Sequence, residues 1–83
     1  MTVNSRKVFE FLKANGVGVK FSVTDIQKAL DFSTPAPVIG SLRGFVKKNY
    51  VEKTTENRVV NGENKEVPVY WLTSTGATIN SND

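Results

Sequence analysis

The sequence contains no cysteine and no histidine among its 83 residues. These absences exclude disulfide bonds, Cys/His zinc sites, thiol nucleophiles and histidine-based acid–base catalysis. Long apolar runs are also missing: no stretch approaches the roughly 18 apolar residues that cross a membrane, and the N-terminus has no signal-peptide pattern. We therefore expect a cytoplasmic protein with no membrane contact.

Acidic residues are present but form no catalytic pattern. Asp25 is explained as an acid at the start of a helix, and the glutamates of the C-terminal half are scattered among lysines. A catalytic site requires a nucleophile, a base and a stabilising group in one constellation, and none is recognisable here. We predict that the protein is not an enzyme and uses no metal and no cofactor.

Charge is distributed unevenly along the chain. Residues 1–50 contain eight basic and three acidic residues, a balance of +5, whereas residues 51–83 contain three basic and five acidic residues, a balance of −2. A basic N-terminal half favours contact with a polyanion, although solvated lysines on helices are common. The length allows one domain with a single modest core.

Two amphipathic helices are predicted in the first third of the chain. Apolar residues recur at three- and four-residue spacing from Asn4 or Ser5, either of which can cap the helix, to Ala14, and Gly16 follows as a stop signal. Residues 17–21 are predicted as a short strand. Ser22 with Asp25 three residues later is a capping-box pattern, which predicts a second helix ending near residue 31.

The segment 33–48 is the central element of the sequence. Thr34 is predicted as the cap and Pro35 as the first residue of a helix spanning 35–48. A turn of about four residues before Pro35 predicts a helix-turn-helix arrangement. One side of the helix is apolar, and the other is small and weakly basic: Ala36, Pro37, Gly40, Arg43, Gly44 and Lys47.

After Asn49, which can adopt the left-handed conformation that ends a helix, the sequence becomes typical of β-structure. Residues 50–55 and 67–73 are predicted as two strands of a hairpin, with a longer loop over 57–66 that contains an Asn61-Gly62 turn signal. Pro68 predicts an exposed strand edge or a strand start. Residues 77–83 are predicted as a polar, disordered tail.

The order of these elements resembles a winged helix-turn-helix domain, an α+β fold with three helices, a short strand and a C-terminal two-stranded hairpin, the wing. Three segments carry the resemblance: SVTDIQKAL, the run from Ser33 to Val51, and YWLTSTG, which is similar to the end of the wing in MarR-like regulators. The resemblance covers residues 4–76, so we predict one domain over 1–76.

The resemblance implies double-stranded DNA binding in transcription regulation, with helix 35–48 in the major groove. Arg43 is the expected base reader, because a guanidinium can contact guanine through two hydrogen bonds. Phosphate contacts are expected from the ends of the helices and from the wing. The implied DNA-binding residues are Lys28, Ser33, Thr34, Ala36, Gly40, Arg43, Lys47, Lys48, Arg58 and Lys65.

An alternative remains open, in which the fold is a protein-interaction module of the transcription or replication machinery. Gly44 and Trp71 are its candidate contacts, since glycine permits close packing and an exposed tryptophan can anchor a partner. Four glutamates make the predicted wing net acidic, which disfavours phosphate contact unless these carboxylates point away. No long dimerisation helix follows Gly76, so we expect a monomer or a weak dimer.

Overall fold

The computed structural model describes residues 1–82, which form four helices and a three-stranded antiparallel sheet. This α+β architecture agrees with the predicted class at that level. In chain order the elements are α1 (Val3–Asn15), β1 (Phe21–Ser22), α2 (Val23–Ala29), α3 (Ala36–Lys47), β2 (Val51–Val60), β3 (Glu63–Leu72) and α4 (Ser74–Ala77). The strand order is β1-β3-β2, so β3 lies in the middle.

Helix α1 begins earlier than the sequence predicted. Thr2 is its N-cap and accepts a hydrogen bond from the backbone amide of Ser5, so the prediction of Asn4 or Ser5 as the cap was wrong. The threonine hydroxyl satisfies a free amide of the first turn as well as a serine or asparagine would. The helix ends as predicted at Gly16, whose φ of 97° favours glycine.

The second helix and its entry follow the prediction closely. The Ser22 hydroxyl accepts from the Asp25 amide, and the Asp25 carboxylate accepts from the Ser22 amide, which completes the capping box. The preceding strand contains only Phe21 and Ser22, not 17–21, because only these two residues form ladder pairs with β3, and Gly18 adds a single hydrogen bond to the Leu72 carbonyl. Helix α2 ends at Ala29, two residues before the predicted end.

The start of α3 differs from the prediction. Pro35 is the N-cap rather than the first helical residue, and Thr34 makes no capping hydrogen bond. A side-chain cap is less needed here, because Pro37 has no amide hydrogen and the Pro35 carbonyl accepts from the amides of both Val38 and Ile39. The end near Asn49 is confirmed, since Asn49 has a φ of 64°.

The hairpin is much longer than predicted. Both β2 and β3 contain ten residues and pair without interruption from Val51 opposite Leu72 to Val60 opposite Glu63. The predicted loop 57–66 is therefore strand except for Asn61 and Gly62, which have φ values of 52° and 80°. Positive φ at both positions is the geometry of a tight two-residue hairpin turn. The polar composition of this region reflects solvent exposure on both faces.

Pro68 fits its place in the middle strand. Strand β1 pairs only with Val69 and Tyr70, so at Pro68 the side of β3 away from β2 has no strand partner among residues 1–82. A proline, which cannot donate a backbone hydrogen bond, is tolerated at such a position. The predicted exposed edge at Pro68 is thus confirmed.

The core lies between the helices and the base of the hairpin. Its fully buried side chains come from α1, α2, α3 and the ends of both long strands: Val8, Phe9, Leu12, Ile26, Val38, Leu42, Phe45, Val51 and Leu72. The Phe9 and Phe45 rings join α1 to α3, with centroids 5.1 Å apart. Burial of these apolar groups is the main stabilising term, and it fixes α3 with its other side toward solvent.

The segment YWLTSTG closes the hairpin through two close contacts. The Thr73 hydroxyl donates to the carbonyls of Asn49 and Tyr50 and accepts from the Gly76 amide at the start of α4. A Cβ on Gly76 would collide with the Tyr50 carbonyl, so only glycine fits there. These contacts explain why a threonine and a glycine follow the last strand.

Residues 77–82 lie against α1, although their polar composition predicts a disordered tail. Ile79 packs against the core, and its carbonyl accepts from the Lys13 ammonium group. Arg6 donates to the Ser81 carbonyl, and the Ser81 hydroxyl donates to Glu10. The last residue of the predicted tail, 83, lies outside the described residues.

Candidate functional site

The solvent side of α3 is a narrow stripe of small and basic residues. Ala36, Gly40, Arg43, Gly44 and Lys47 are all exposed and follow one another at helical spacing along the same face. We call these five residues the α3 stripe. The N-terminal part of the stripe has almost no projecting side chains, because it consists of Ala36 and Gly40. Both positive charges, Arg43 and Lys47, lie in its C-terminal part. Over eleven residue steps the stripe is about 16 Å long.

The two glycines of the stripe have no role in the fold. A Cβ added at Gly40 or Gly44 would meet nothing within 4 Å in the described structure. Glycine in a helix interior destabilises the helix by about 1 kcal/mol relative to alanine. Packing within the chain therefore does not require them. Close approach of a partner is the remaining structural use for their lack of a side chain.

A groove of about 310 Å³ lies beside the stripe, between α3 and the hairpin. Most of its lining is apolar and comes from three elements, α2, α3 and β3: Val23, Ile39, Val46, Pro68 and Tyr70. The two remaining lining residues are both cations, Arg43 from α3 and Lys53 from β2. Among residues 1–82 no carboxylate lines the groove, so its electrostatic preference is for an anion.

The two faces of the hairpin differ in chemistry. Directly opposite residues of antiparallel strands share a face, and successive residues alternate between faces. The groove face, which looks toward α3, contains Lys53, Thr55 and Asn57 of β2 opposite Tyr70, Pro68 and Glu66 of β3. The other face, which we call the network face, contains Glu52, Glu56, Arg58, Glu63, Lys65, Val67, Val69 and Trp71.

Ion pairs connect the network face to the start of α2. The Arg58 guanidinium lies 3.0 Å from the Asp25 carboxylate and 3.7 Å from that of Glu56, and the Lys20 ammonium lies 3.4 Å from Glu56. Lys20 also stands over the Trp71 ring at 5.5 Å. This chain of charges links Lys20, just before β1, and Asp25 of α2 to the hairpin, so its residues have partners within the protein.

The pKa of Asp25 is lowered by this arrangement. Partial burial by itself raises the pKa, but hydrogen bonds from the Ser22 backbone amide and from Arg58 outweigh it, so the pKa of Asp25 lies below its ordinary value. Asp25 is therefore ionised at neutral pH. It acts as a fixed anion that holds Arg58.

Three of the four hairpin glutamates lie away from the groove. Glu52, Glu56 and Glu63 are on the network face, and only Glu66 is on the groove face. The acidic balance of the hairpin thus does not extend evenly over its surface. Next to α3 the hairpin presents Lys53, which forms no ion pair among residues 1–82.

The structure brings together some of the predicted DNA-binding residues. Ala36, Gly40, Arg43 and Lys47 share the α3 stripe, and Ser33 and Thr34 are exposed just before it. Lys48 follows the helix, with its ammonium group 5.9 Å from the centre of the Tyr50 ring. Lys28 is exposed on α2 and does not line the groove.

The other predicted residues lie elsewhere. Arg58 and Lys65 are opposite each other on the network face, in strands rather than in a wing loop, and Arg58 is bound to Asp25. Trp71 is half-buried on that same face, so it does not share a surface with Gly44. Tyr70 and Leu72, on the other face of β3, pack toward the core.

Two groove residues were missed by sequence reasoning. Lys53 was not singled out, although it is two residues after buried Val51 and hence on the same face of the strand. Ile39 was assigned to the core side of α3, but it is 38% exposed and lines the groove. Strand alternation could have found Lys53. The exposure of Ile39 depends on the distance between the hairpin and α3, which the sequence pattern does not indicate.

Comparison with known proteins does not assign the chain to a family. No protein-family model matches the sequence, and no curated protein is significantly similar to it. Within residues 1–82, no group of carboxylates is arranged to hold a metal ion. None of the helices in that part of the chain is both long and apolar enough to cross a membrane. The geometry of the α3 stripe and the groove therefore carries the functional argument.

Proposed function

We propose that this chain is a winged-helix protein that binds double-stranded DNA, probing the major groove with α3. The observation that carries the proposal is the separation of charge. Arg43, Lys47 and Lys53 lie on α3 and on the adjoining hairpin face without ion-pair partners in residues 1–82, whereas most hairpin carboxylates lie on the opposite face. Unpaired cations on one surface favour a polyanion.

The element order supports the winged-helix assignment. Helices α1, α2 and α3 precede the hairpin, and the short strand β1 between α1 and α2 joins the hairpin in the order β1-β3-β2. Six residues, 30–35, connect α2 to α3, which is longer than the predicted turn of about four residues and than the 3–4-residue turn usual in a helix-turn-helix unit. In this arrangement α3 is the recognition helix and the β2–β3 hairpin is the wing.

The shape of the α3 stripe supports a major-groove position. The groove of B-DNA is about 12 Å wide and accepts one α-helix. Small residues at Ala36, Gly40 and Gly44 would let the helix backbone come close to the base edges, and no contact within the described fold requires glycine at 40 or 44. Arg43 is the residue placed to read a guanine, and Lys47 and Lys53 are placed to contact phosphates.

Few base-reading side chains lie on the stripe, so sequence specificity should be modest. Ala36 can contact a thymine methyl group, and Arg43 is the only long side chain at its centre. Most of the affinity should come from phosphate contacts, which are independent of sequence. We therefore expect a transcription regulator or accessory factor with limited discrimination between duplexes.

A salt titration of binding to a random duplex tests this proposal. Each phosphate contact releases counterions, so the logarithm of the association constant should fall linearly with the logarithm of salt concentration, by about 0.9 for each contact. Fluorescence anisotropy of a labelled duplex gives the slope. Absence of duplex binding at low salt would overturn the proposal.

Lys53→Ala and Lys65→Ala form a matched pair for this measurement. Both lysines are exposed on the hairpin, but Lys53 is on the groove face and Lys65 is on the network face. Lys53→Ala should reduce the salt slope by about 1, and Lys65→Ala should leave it unchanged. Equal effects of the two substitutions would mean that the hairpin contacts DNA without a preferred face.

A second candidate function is protein binding at the groove. The groove is mainly apolar, and Ile39 in its lining is 38% exposed, which suits an apolar side chain from a partner protein. Ile39→Ala should then abolish partner capture without changing duplex affinity. The two functions are separable, because mutation of an apolar groove residue does not remove any of the cations that DNA would contact.

A further inference from the structure

The outer edge of β2 is open along its whole length. Strand β2 lies at the end of the sheet and has β3 as its only strand neighbour in residues 1–82. No backbone hydrogen bond outside the sheet and helices uses residues 52–60 of the described chain. An edge of this kind presents a row of unpaired donors and acceptors that can pair with another strand.

Two common forms of edge protection are missing from β2. The strand contains no proline, and its pairing with β3 is one-to-one over ten residues, so it contains no bulge that would twist the edge away. Its charged residues remain as the only protection: Glu52, Lys53, Glu56 and Arg58. Whether these charges prevent pairing depends on the register in which a second strand arrives.

Symmetry limits the registers that two copies of β2 can use. A two-fold axis perpendicular to the sheet makes the two paired edge strands antiparallel. It also puts the groove faces of both copies on the same side of the joined sheet, so each residue must pair with a residue of the same face. Residues of the same face differ by an even number in sequence. Only registers centred on a residue, which then lies opposite its own copy, meet this condition.

One of these registers is complementary in charge. With Thr55 on the axis, Glu52 lies opposite Arg58 of the second copy, and this pair occurs twice. Lys53 then lies opposite Asn57, and residues 51–59 all pair. With Thr54 on the axis, Glu52 of each copy lies opposite Glu56 of the other. With Glu56 on the axis, Glu56 lies opposite Glu56 of the second copy. Repulsion between like charges therefore disfavours both neighbouring registers.

The same register covers an otherwise unexplained apolar residue. Val59 is 71% exposed near the tip of the hairpin, and with Thr55 on the axis it lies opposite Val51 at the base of the second copy. Val51 and Val59 are both on the groove face, and Val51 is already buried in the core of its own copy, so this register places Val59 beside the buried base of the hairpin. A register centred on Asn57 also brings Glu56 to Arg58, but it pairs only residues 54–60 and places Val59 opposite Thr55.

We propose that two copies of this chain pair through the outer edges of β2, antiparallel and with Thr55 on the two-fold axis. The result is a continuous six-stranded sheet, because each copy contributes three strands. Both α3 helices lie on the same face of that sheet, since the axis is perpendicular to it. The proposal does not depend on DNA binding, and it can fail without affecting that function.

Single-cysteine variants test the register directly, because the natural chain has no cysteine. Opposed residues of antiparallel strands have Cα atoms about 4.5–5.5 Å apart, within the range that a disulfide spans. Thr55→Cys should form a disulfide-linked dimer rapidly under mild oxidation. Thr54→Cys is the matched control, because residue 54 lies opposite residue 56 of the second copy.

Three results would overturn the proposal. The register would be excluded if Thr55→Cys cross-links no faster than Thr54→Cys. It would also be excluded if Asn57→Cys cross-links faster than Thr55→Cys. Sedimentation equilibrium of the unmodified protein provides the second measurement and does not depend on any variant. In that measurement we expect the unmodified protein to dimerise and Glu52→Lys to weaken the dimer at least tenfold. A protein that stays monomeric at millimolar concentration would exclude the dimer.

Discussion

The two faces of the β2–β3 hairpin differ in what their charges do. On the network face, Arg58 pairs with Asp25 and Glu56, so its charge stabilises the fold. On the groove face, Lys53 has no ion-pair partner in residues 1–82 and stands beside Arg43 in the groove. Net charge along the sequence therefore does not reveal which surface is available to a polyanion.

The difference arises from the two-residue period of a strand. Glutamates at positions 52 and 56 share a face because their separation is even, and Lys53 lies on the other face because it is one residue away. A hairpin that is acidic in composition can therefore present a cation to one side. We propose that the groove face binds and the network face holds the hairpin in place.

The largest expected effect on binding comes from Arg43. Arg43→Ala should weaken duplex binding by about 1–3 kcal/mol, or roughly 5- to 150-fold, because a buried guanidinium–guanine contact is lost. The loss should depend on the duplex sequence. Competition between duplexes that differ at single base pairs, followed by anisotropy, measures it.

Arg58→Ala is the comparison for Arg43→Ala. It removes a partly exposed arginine from the network face, where the side chain contacts Asp25, whereas Arg43 is exposed to solvent. It should lower the free energy of unfolding by about 1 kcal/mol or less and leave duplex affinity nearly unchanged. Loss of affinity equal to that of Arg43→Ala would remove the proposed difference between the faces.

Substitution of the stripe glycines separates stability from binding. Gly40→Ala and Gly44→Ala should each raise the free energy of unfolding by up to about 1 kcal/mol, because alanine is the better helix former and the added Cβ meets no atom. If a duplex approaches the helix closely, the same substitutions should weaken binding. Urea unfolding and anisotropy on the same samples measure both quantities.

A gain in stability with no loss of duplex affinity would contradict close approach of DNA at these positions. Gly18→Ala is not a suitable control, because Gly18 has a φ of 82° that disfavours alanine. Ser74→Ala or another exposed position outside the stripe serves better. Unchanged binding in that variant would confine any loss to the α3 stripe.

The smallest expected effect is the pH dependence of the network face. The pKa of Asp25 is lower in the folded chain than in the unfolded chain, where it is about 3.9. Its contribution is therefore complete above about pH 5 and is lost as the pH falls through the folded-state pKa. Because the Arg58–Asp25 pair is partly exposed, we expect less than about 1 kcal/mol.

Asp25→Asn measures this contribution without removing the side chain. The difference in the free energy of unfolding between the natural protein and the variant should be constant from pH 7 to about pH 5 and should shrink at lower pH. Urea unfolding over that range gives the difference. A difference that grows as the pH falls would show that Asp25 is not stabilised in its ionised form.

Local sequence signals predicted much of the fold. The Ser22–Asp25 capping box and the Asn49 helix end are set by contacts within a few residues, and the structure confirms them. The hairpin length was not predictable in this way. Its mainly polar residues 56–60 and 63–66 form strand because each pairs across the hairpin, which composition alone does not indicate.

The candidate site was only partly predictable for the same reason. The α3 stripe follows from helical periodicity, so Arg43 and Lys47 were found. The groove depends on how the hairpin stands against α3, and Lys53 and Ile39 therefore emerged only from the tertiary arrangement. Arg58 was expected on the binding surface, and its pairing with Asp25 required a contact between residues 33 apart in sequence.

Chemical-shift mapping of a short duplex on the ¹⁵N-labelled protein tests the central claim most directly. The sequence has a single tryptophan, so the Trp71 indole signal reports on the network face, and the amides of α3 and Lys53 report on the stripe and groove. We predict large shifts over residues 36–47 and at Lys53, with the Trp71 indole unchanged. Shifts centred on Trp71, Lys20 and Glu56, with α3 unaffected, would contradict the proposal.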